Sequence, residues 1–380
     1  MAYTVNTSLS NMYNVTENAT IPTGTDDTFM TSLLTTSAPK SMSVSISTKV
    51  SYVTVPVFTI LGLTGNILTL IIMRTKYFRQ STTSVFLSAL ALSDTTFILI
   101  SPFTKTFMKD LFNRDPKALT EAGCKAYFCI FRSAKICSSW YVVLICLERF
   151  IVICFPFRAK RISRRYTAVI AVSCVTITII AFDGVWTITS GIVDGNCIPS
   201  IATESTKDLS AAFVVAGTAI FNIIPTCILL FFTPLSIVQL FRQMSFRREM
   251  STTGAYDDTL KITRMLLAVT IAYILLVTPI SVAHSVAFFN GDNIFTSKDP
   301  DFVIFREFAQ TFEQLNYSVN FLLYVVCNGT FRQQFYNVIC CRRHETRSAV
   351  SRQTIVHKDI TNKCPSFLST DSTNVSQSSE

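Results

Sequence analysis

Residues 138–150, Ser-Ser-Trp-Tyr-Val-Val-Leu-Ile-Cys-Leu-Glu-Arg-Phe, decide how the rest of the chain is interpreted. An apolar run ends here in an acid–arginine pair, Glu148 and Arg149, and continues into a basic loop. Charged side chains at membrane depth are rare and usually functional. An arginine at a helix end can also simply extend to the lipid–water interface. Both interpretations require a membrane, and the composition of the whole chain indicates one.

The composition is that of a membrane protein. Of the 380 residues, 49% are hydrophobic and only 15% charged, which is too apolar for an ordinary soluble domain. The formal net charge is +9, but the basic residues lie in short loops between apolar segments, which favours membrane orientation over a nucleic-acid partner. Most of the 12 cysteines lie inside apolar segments and are interpreted as small buried hydrophobes. Cys124 and Cys197 lie at helix ends or in loops on one predicted side and could form a single disulfide.

Seven apolar segments are each long enough to cross about 30 Å of hydrocarbon as a helix. They are too long and too uniformly apolar for barrel strands. The sequence therefore predicts an all-α membrane protein, a seven-transmembrane helix bundle within residues 50–327. The predicted spans are 50–73, 84–109, 121–154, 166–190, 209–241, 260–290 and 302–327.

Loop charges and sequons predict the orientation. Lys and Arg concentrate after the first, third and fifth segments and at the start of the C-terminal tail, so the positive-inside rule puts the N-terminus outside the plasma membrane and the C-terminus in the cytoplasm. Residues 1–49 are rich in Ser, Thr and Asn and read as an extracellular disordered tail. Three sequons there predict glycosylation, at Asn6, Asn14 and Asn18. Sequon matches at Asn316, Asn328 and Asn374 are interpreted as chance, because they fall in a helix or on the other side.

The C-terminal region divides into two parts. Residues 328–341 show a short amphipathic pattern that predicts a helix along the inner membrane surface. Cys340 and Cys341 beside basic residues suit palmitoylation, the alternative being two unmodified thiols. Residues 342–380 are rich in Ser and Thr and predict a disordered cytoplasmic tail open to kinases.

Two sets of polar residues inside the segments carry the functional signal, because buried polar groups cost free energy unless they are paired or solvated. Asp94, Ser138, Asn316 and Asn320 could form an oxygen cage for a monovalent cation, although a lone Asn or Ser usually bonds a neighbouring backbone. A second set lies nearer the outer face and predicts a water-filled cavity for a polar or anionic ligand. It comprises Arg132, Lys135, His284, Gln310 and Glu313. Arg132 and Lys135 are three residues apart and are expected to share a helix face. The alternative is an internal salt bridge such as Lys135 with Glu313.

With these motifs the chain resembles rhodopsin-like (class A) G protein-coupled receptors over residues 50–340. The matching features are Gly65-Asn66 in the first segment, Leu90-Ala-Leu-Ser-Asp94 in the second, Cys124 placed 25 residues before Arg149, Glu148-Arg149-Phe150, Cys197, Pro225, Pro279, Asn320-Phe-Leu-Leu-Tyr324 and Phe331-Arg332. The resemblance implies a Cys124–Cys197 bridge, a regulatory sodium ion at Asp94 and no other cofactor. It also implies a switch in which Glu148 pairs with Arg149 at rest, the sixth helix pivots at Pro279, Tyr324 turns inward, and Arg149 then meets a G protein α subunit.

The chain departs from the family pattern at several positions. Phe321 replaces the proline of the seventh-helix motif, Val277 stands where most members have a tryptophan, and Thr233 stands where a tyrosine is usual. Trp186 lies near the outer end of the fourth segment and not at its middle. These departures leave the helix packing and the details of the switch open.

The finer pattern resembles invertebrate neuropeptide receptors of the FMRFamide type. Phe131, which is also predicted to bind the ligand, occupies the position where amine receptors carry an aspartate. The seventh segment has no lysine for retinal, so neither an amine nor a photoreceptor function is favoured. The resemblance implies a peptide ligand, a heterotrimeric G protein, receptor kinases, arrestin and membrane lipid as partners. A class A receptor for a non-peptide chemosensory ligand and a multi-pass transporter are the alternatives. An enzyme is not predicted, because no nucleophile–base pair or metal-ligand cluster stands out.

Overall fold

The computed structural model describes residues 38–104, 112–113, 115–193, 195–198, 212, 216–217, 219–248, 255–289 and 299–340. Most of these residues are helical. The principal helices are α1 (Ala38–Met73), α2 (Thr82–Ile100), α3 (Glu121–Cys154), α4 (Arg165–Thr187), α5 (Ile224–Arg248), α6 (Ala255–Phe289), α7 (Pro300–Cys327) and α8 (Gly329–Ile339). Shorter turns of helix are Ser101–Thr104, Pro116–Leu119 and Pro156–Ile162, and the π-helical turn Ala219–Ile223 precedes α5. Strands β1 (Gly191–Val193) and β2 (Asn196–Ile198) form an antiparallel hairpin.

Side-chain caps explain where several helices begin, because the first backbone N–H groups of a helix have no partner within it. The hydroxyl of Ser81 accepts from Ser84 N at the start of α2. Thr120 accepts from the backbone of α3 in the same way, and the carboxylate of Asp299 accepts from the first turn of α7. The Asn328 side chain accepts from two backbone N–H groups of α8 and so sets the bend between α7 and α8.

α3 lies at the centre of the bundle. It contacts α2, α4, α5 and α6, whereas α7 packs between α1 and α6. Leu87, Ile145, Leu229 and Met265 come from different helices and are almost completely buried between them. α3 and the helices that contact it therefore position many of the groups described below.

The outer surface of the bundle is apolar. Large side chains such as Ile60, Ile177, Phe231 and Leu275 are more than half exposed, a surface that suits lipid and not water. Six described helices, α1 to α6, are long and apolar enough to cross a membrane. α7 has 28 residues and the necessary length, but its polar side chains lower its hydropathy. The prediction of an all-α seven-helix bundle is confirmed.

The predicted spans agree with the helices except at some ends. The third span matches α3 at both ends. α1 begins at Ala38, before the apolar segment that starts at residue 50. α2 ends at Ile100 and is followed by the short turn Ser101–Thr104, because Pro102 cannot extend the α-helical bonding. The last predicted residues of this span, 105–109, lie outside the described residues. The hairpin was not predicted, although Asp194-Gly195 between its strands is a frequent turn pair and Gly195 has a φ of 71°.

Candidate functional site

The C-terminal end of α3 holds a closed ionic cluster. Arg149 is 4% exposed, and its Nε donates to Glu148 Oε2 over 2.6 Å. The other oxygen of Glu148 accepts from the hydroxyls of Thr82 and Ser163, each over 2.7 Å. The cluster thus ties α3 to the start of α2 and to the α3–α4 connection. The predicted Glu148–Arg149 pair is present, whereas Thr82 and Ser163 were missed because hydroxyls distant in sequence give no pattern.

Phe150, the third residue of the predicted switch motif, joins α3 to α5. Its ring meets the Phe232 ring at 4.9 Å between centroids in a T-shaped contact, an arrangement that aromatic pairs favour. Gln243 near the end of α5 donates to the carbonyl of Ile153 over 2.6 Å. α3 and α5 are therefore held together at their C-terminal ends.

Asp94 lies at the centre of a buried polar group. It is 0% exposed and accepts from Ser138 over 2.6 Å and from the Asn320 amide over 2.8 Å. Asn316 is also buried, one turn before Asn320 on α7, but within the described residues it makes no hydrogen bond to Asp94. Three of the four residues predicted to form a cation cage are thus in contact. Asn320 meets Asp94 through its amide nitrogen and not its oxygen, and binding of sodium there stays a prediction.

Halfway along α3 an ion pair connects it to α7. Lys135 Nζ and Glu313 Oε1 are 2.7 Å apart, and the two side chains are 21% and 8% exposed. The internal salt bridge that the sequence allowed as an alternative is therefore present. His284 of α6 is half-buried. Gln310 lies three residues before Glu313 and is half-buried.

Phe131 belongs to a stack of aromatic rings beside this pair. It lies between Tyr127 and Phe97, with ring centroids 5.9 and 5.2 Å away. Phe97 in turn stacks on Tyr317 of α7 at 3.9 Å, and the carbonyl of Tyr317 accepts from Asn66 of α1. The stack forms one wall between the outer end of α3 and the buried polar group.

Arg132 is placed differently from the expectation. It does not share an open face with Lys135 but turns to α4, where its Nε donates to Asp183 over 2.7 Å and its Nη2 to Thr187 over 2.8 Å. Ser133 donates to the other oxygen of Asp183. Three helical residues leave two side chains about 60° apart, enough for each to face a different neighbour. Asp183 is the one acidic residue in residues 166–190, and it could have been recognised in the sequence as a partner for Arg132.

The N-terminal end of α3 is fixed by the hairpin. Cys124 and Cys197 form a disulfide with a Cα–Cα distance of 5.6 Å, so the predicted bridge is confirmed. Asp115 adds a second attachment, since its carboxylate accepts from Cys197 N over 3.1 Å. The disulfide therefore holds the hairpin to α3, and Asp115 holds it to the segment just before α3.

The departures from the family pattern have structural counterparts. Phe321 packs against Phe331 and Phe335 of α8 at 5.9 and 5.3 Å. A Cβ on Gly65 would lie 2.8 Å from that of Phe321, so α1 approaches α7 closely where the motif has changed. Thr233 faces Cys146 of α3 at 3.5 Å.

The predicted pivot at Pro279 and the predicted switch residue Tyr324 lie among buried side chains. Pro279 lies inside α6 and Val277 is buried. Tyr324 is 1% exposed and meets the Phe331 ring at 5.4 Å. The Asn328 amide lies 3.5 Å from the sulfur of Met265, which links the α7–α8 bend to α6.

The predicted modification sites are divided between described and undescribed residues. Cys340 is exposed at the end of α8, whereas Cys341, Asn6, Asn14 and Asn18 lie outside the described residues. The sequon matches at Asn316 and Asn328 are buried, at 3% and 0% exposure. A glycan cannot be attached to either side chain in this fold.

The fold and these sites define a multi-pass helical membrane protein with charged groups buried along one central helix. A sequence profile described as "7 transmembrane receptor (rhodopsin family)" matches residues 65–327, and the chain belongs to that family. The family is one of signalling receptors and not of enzymes.

Curated relatives share most of their length with this chain. Neuromedin-U receptor 2 of Mus musculus is 25% identical over 311 residues, covering 79% of this chain and 77% of the relative. Neurotensin receptor type 1 of Homo sapiens is 23% identical, covering 77% and 78%. Galanin receptor 2b of Danio rerio is 23% identical, covering 84% and 82%. None of these relatives is a receptor of the FMRFamide type, so that finer placement stays a prediction.

Proposed function

We propose that this protein is a cell-surface receptor that binds an extracellular peptide and activates a heterotrimeric G protein. The observation that carries the proposal is the buried Glu148–Arg149 cluster at the inner end of a bundle of this family. The relatives named after neuromedin U, neurotensin and galanin support a peptide as the ligand. The orientation follows from the loop charges, with the N-terminus outside and the C-terminus in the cytoplasm.

The switch works through exchange of partners at Arg149. At rest the guanidinium is satisfied by Glu148, and Glu148 is satisfied by Thr82 and Ser163. A ligand that binds better to a second arrangement of the helices shifts the population toward it. In that arrangement α6 moves outward about Pro279, where the helix lacks a backbone donor. Arg149 is then free to meet the α subunit.

The ligand enters from the hairpin side and contacts the inner walls of α3, α6 and α7. We assign direct contacts to Phe131, Lys135, His284, Gln310 and Glu313. Arg132 acts indirectly, because its contacts with Asp183 fix α4 against α3. By reciprocity of linked equilibria, the G protein tightens the binding of the peptide.

Further features complete the proposal. Sodium at Asp94, Ser138, Asn316 and Asn320 favours the resting state, since it neutralises a carboxylate that links α2, α3 and α7. The tail 1–49 is extracellular and glycosylated at Asn6, Asn14 and Asn18. Palmitoylation of Cys340 and Cys341 anchors segment 328–341 to membrane lipid, and residues 342–380 take phosphate from receptor kinases and then bind arrestin.

A cell assay tests the proposal. The chain is expressed with an N-terminal epitope tag and a Gα subunit that couples to many receptors, and synthetic peptides are screened by calcium release. A response that requires the receptor and is lost in Arg149→Ala supports it. A well-expressed receptor that gives no response to any peptide contradicts it.

A further inference from the structure

We propose that Ser163 is a phosphorylation site, and that its phosphate and the closed Glu148–Arg149 cluster exclude each other. Ser163 lies between the short helix Pro156–Ile162 and α4, and its hydroxyl is one of the two that donate to Glu148 Oε1. The proposed orientation puts this connection in the cytoplasm, where protein kinases and ATP are present. The inference rests on the proposed function in that respect, and it adds a covalent control of the resting cluster.

The sequence around Ser163 is strongly basic. The stretch Phe155-Pro-Phe-Arg-Ala-Lys-Arg-Ile-Ser-Arg-Arg-Tyr166 holds five lysines and arginines and no acidic residue. Lys160 and Arg161 stand three and two positions before the serine. Many serine/threonine kinases select substrates by basic residues at these two positions, which meet acidic groups beside the kinase active site. The charge pattern therefore suits Ser163 as a substrate.

The serine is reachable once its hydroxyl leaves Glu148. Ser163 is half-buried, but its neighbours Ile162 and Arg164 are exposed, the first at 45%. The helix before it has seven residues, and a helix of that length is marginal by itself in water. This connection can therefore open without unfolding the bundle. The hydroxyl is held by its hydrogen bond to Glu148, with the Thr82 hydroxyl 3.4 Å away.

A phosphate at Ser163 does not fit the closed cluster. The hydroxyl donates to Glu148 Oε1 over 2.7 Å, whereas a phosphate ester has no O–H group at that oxygen. The added group carries a charge of about −2 and would lie against a carboxylate that is only 9% exposed. Like charges in contact are strongly disfavoured, the more so where water is excluded. The phosphate must therefore turn outward, where the exposed Arg164 can pair with it.

The exclusion couples the modification to opening of the cluster. A kinase can act only on receptors whose cluster has opened, since the closed cluster holds the reacting oxygen. Once the phosphate is in place, Glu148 keeps only Thr82 and Arg149 as partners from the resting cluster. Because linked equilibria are reciprocal, a modification that requires the open arrangement also favours it. Phosphorylation of Ser163 therefore prolongs the state in which Arg149 is free.

The reaction is a phosphoryl transfer from ATP, catalysed by a protein kinase. The Ser163 oxygen attacks the γ-phosphorus, a new P–O bond forms, and the bond from the γ-phosphorus to the β–γ bridging oxygen breaks. ADP leaves with that electron pair, and the hydroxyl proton passes to the catalytic base of the kinase. The receptor supplies only the hydroxyl and the basic residues before it.

Kinase rates on the purified full-length receptor test the site. A serine/threonine kinase selective for basic residues is added with ATP and Mg²⁺, and phosphate at Ser163 is counted by mass spectrometry. In Glu148→Gln the ionic partner of Arg149 is lost and the hydrogen bond from Ser163 is weakened. We therefore expect Ser163 to react about tenfold faster in Glu148→Gln than in the wild type. Equal rates in the two receptors, or no phosphate at Ser163 in either, overturn the inference.

A matched control and a second variant keep this test decisive. Glu121→Gln makes the same change in the exposed ion pair at the other end of α3 and should react at the wild-type rate. Should Glu148→Gln not fold, Glu148→Asp keeps the charge but draws the carboxylate back from Ser163 by one methylene group. We expect Ser163 to react faster in that variant too, and an unchanged rate overturns the inference.

Phosphoserine installed at position 163 by genetic encoding tests the reverse effect. Ser163→Ala measures loss of the hydrogen bond alone, whereas phosphoserine adds repulsion from Glu148. The phosphoserine receptor should therefore melt at least about 2 °C below Ser163→Ala. In the Glu148→Gln background the carboxylate charge is absent, and we expect this difference to disappear. Equal Tm values for phosphoserine and alanine in the wild-type background overturn the inference.

These measurements need neither a ligand nor a G protein, so they separate the inference from the proposed function. If the rates and Tm values behave as expected while no peptide elicits a response, only the proposed function fails. If peptides activate the receptor while Ser163 reacts equally fast with and without the charge of Glu148, only the inference fails.

Discussion

Replacing Asp183 with Ala is expected to destabilise the receptor by about 3–5 kcal/mol, because it leaves a buried cation without its partner. Asp183 is 0% exposed and Arg132 8% exposed, and their atoms meet at 2.7 Å. The exposed pair Glu121–Lys125 has an almost equal N–O distance of 2.8 Å. Exposed pairs contribute only about 0–1 kcal/mol. Because the two N–O distances are nearly equal, burial accounts for the larger loss of stability that we expect in Asp183→Ala than in the control variant Glu121→Gln.

Thermal unfolding of the purified receptor in detergent measures the effect. At roughly 2 °C for each kcal/mol in a large chain, Asp183→Ala should lower the Tm by roughly 6–10 °C, while Glu121→Gln should change it by no more than about 2 °C. The double variant Arg132→Met with Asp183→Leu removes both charges and should recover most of the loss. Equal Tm values for Asp183→Ala and Glu121→Gln would refute the reasoning. So would a double variant that melts no higher than Asp183→Ala.

Three further changes have defined outcomes. Arg149→Ala should abolish ligand-stimulated nucleotide exchange on the G protein while cell-surface expression stays near the wild-type level; retained exchange counts against the switch. Cys197→Ser opens a loop of 73 residues and should lower the free energy of unfolding by about 4 kcal/mol, measured as a lower Tm. An unchanged Tm contradicts a stabilising bridge. Gly62→Ala places a Cβ 3.2 Å from the backbone Cα of Ser318 and should lower the free energy of unfolding by about 1–3 kcal/mol, measured as a lower Tm. The control Gly184→Ala adds a Cβ with no atom within 4 Å and should leave the Tm unchanged or slightly raised.

The fold could be predicted because a lipid environment leaves few choices for an apolar segment of this length. The disulfide was implied by the resemblance to class A receptors, through the spacing of Cys124 from Arg149 and the location of Cys197. Helix ends were harder to predict, because Pro102 ends α2 within a segment whose hydropathy stays high. The hairpin was missed because strands of three residues are too short for a periodic signal.

The candidate site was predicted in part. The partners of Asp94 and of Lys135 follow from a single rule, that a buried charge needs an opposite charge or hydrogen bonds. The same rule, applied to Asp183, would have separated Arg132 from Lys135. Partners such as Thr82 and Ser163 could not be predicted, because a hydroxyl is common in loops and only the folded chain brings it to Glu148.

The polarity of α7 has a consequence for biogenesis. Glu313, Asn320 and the carbonyl of Tyr317 are satisfied by Lys135, Asp94 and Asn66, which all belong to helices synthesised earlier. We expect the translocon to release α7 into the bilayer only after α1, α2 and α3 have assembled beside it. In a nascent chain that lacks those three helices, we expect the seventh segment to stay outside the bilayer, at the ribosome exit or in the aqueous channel of the translocon.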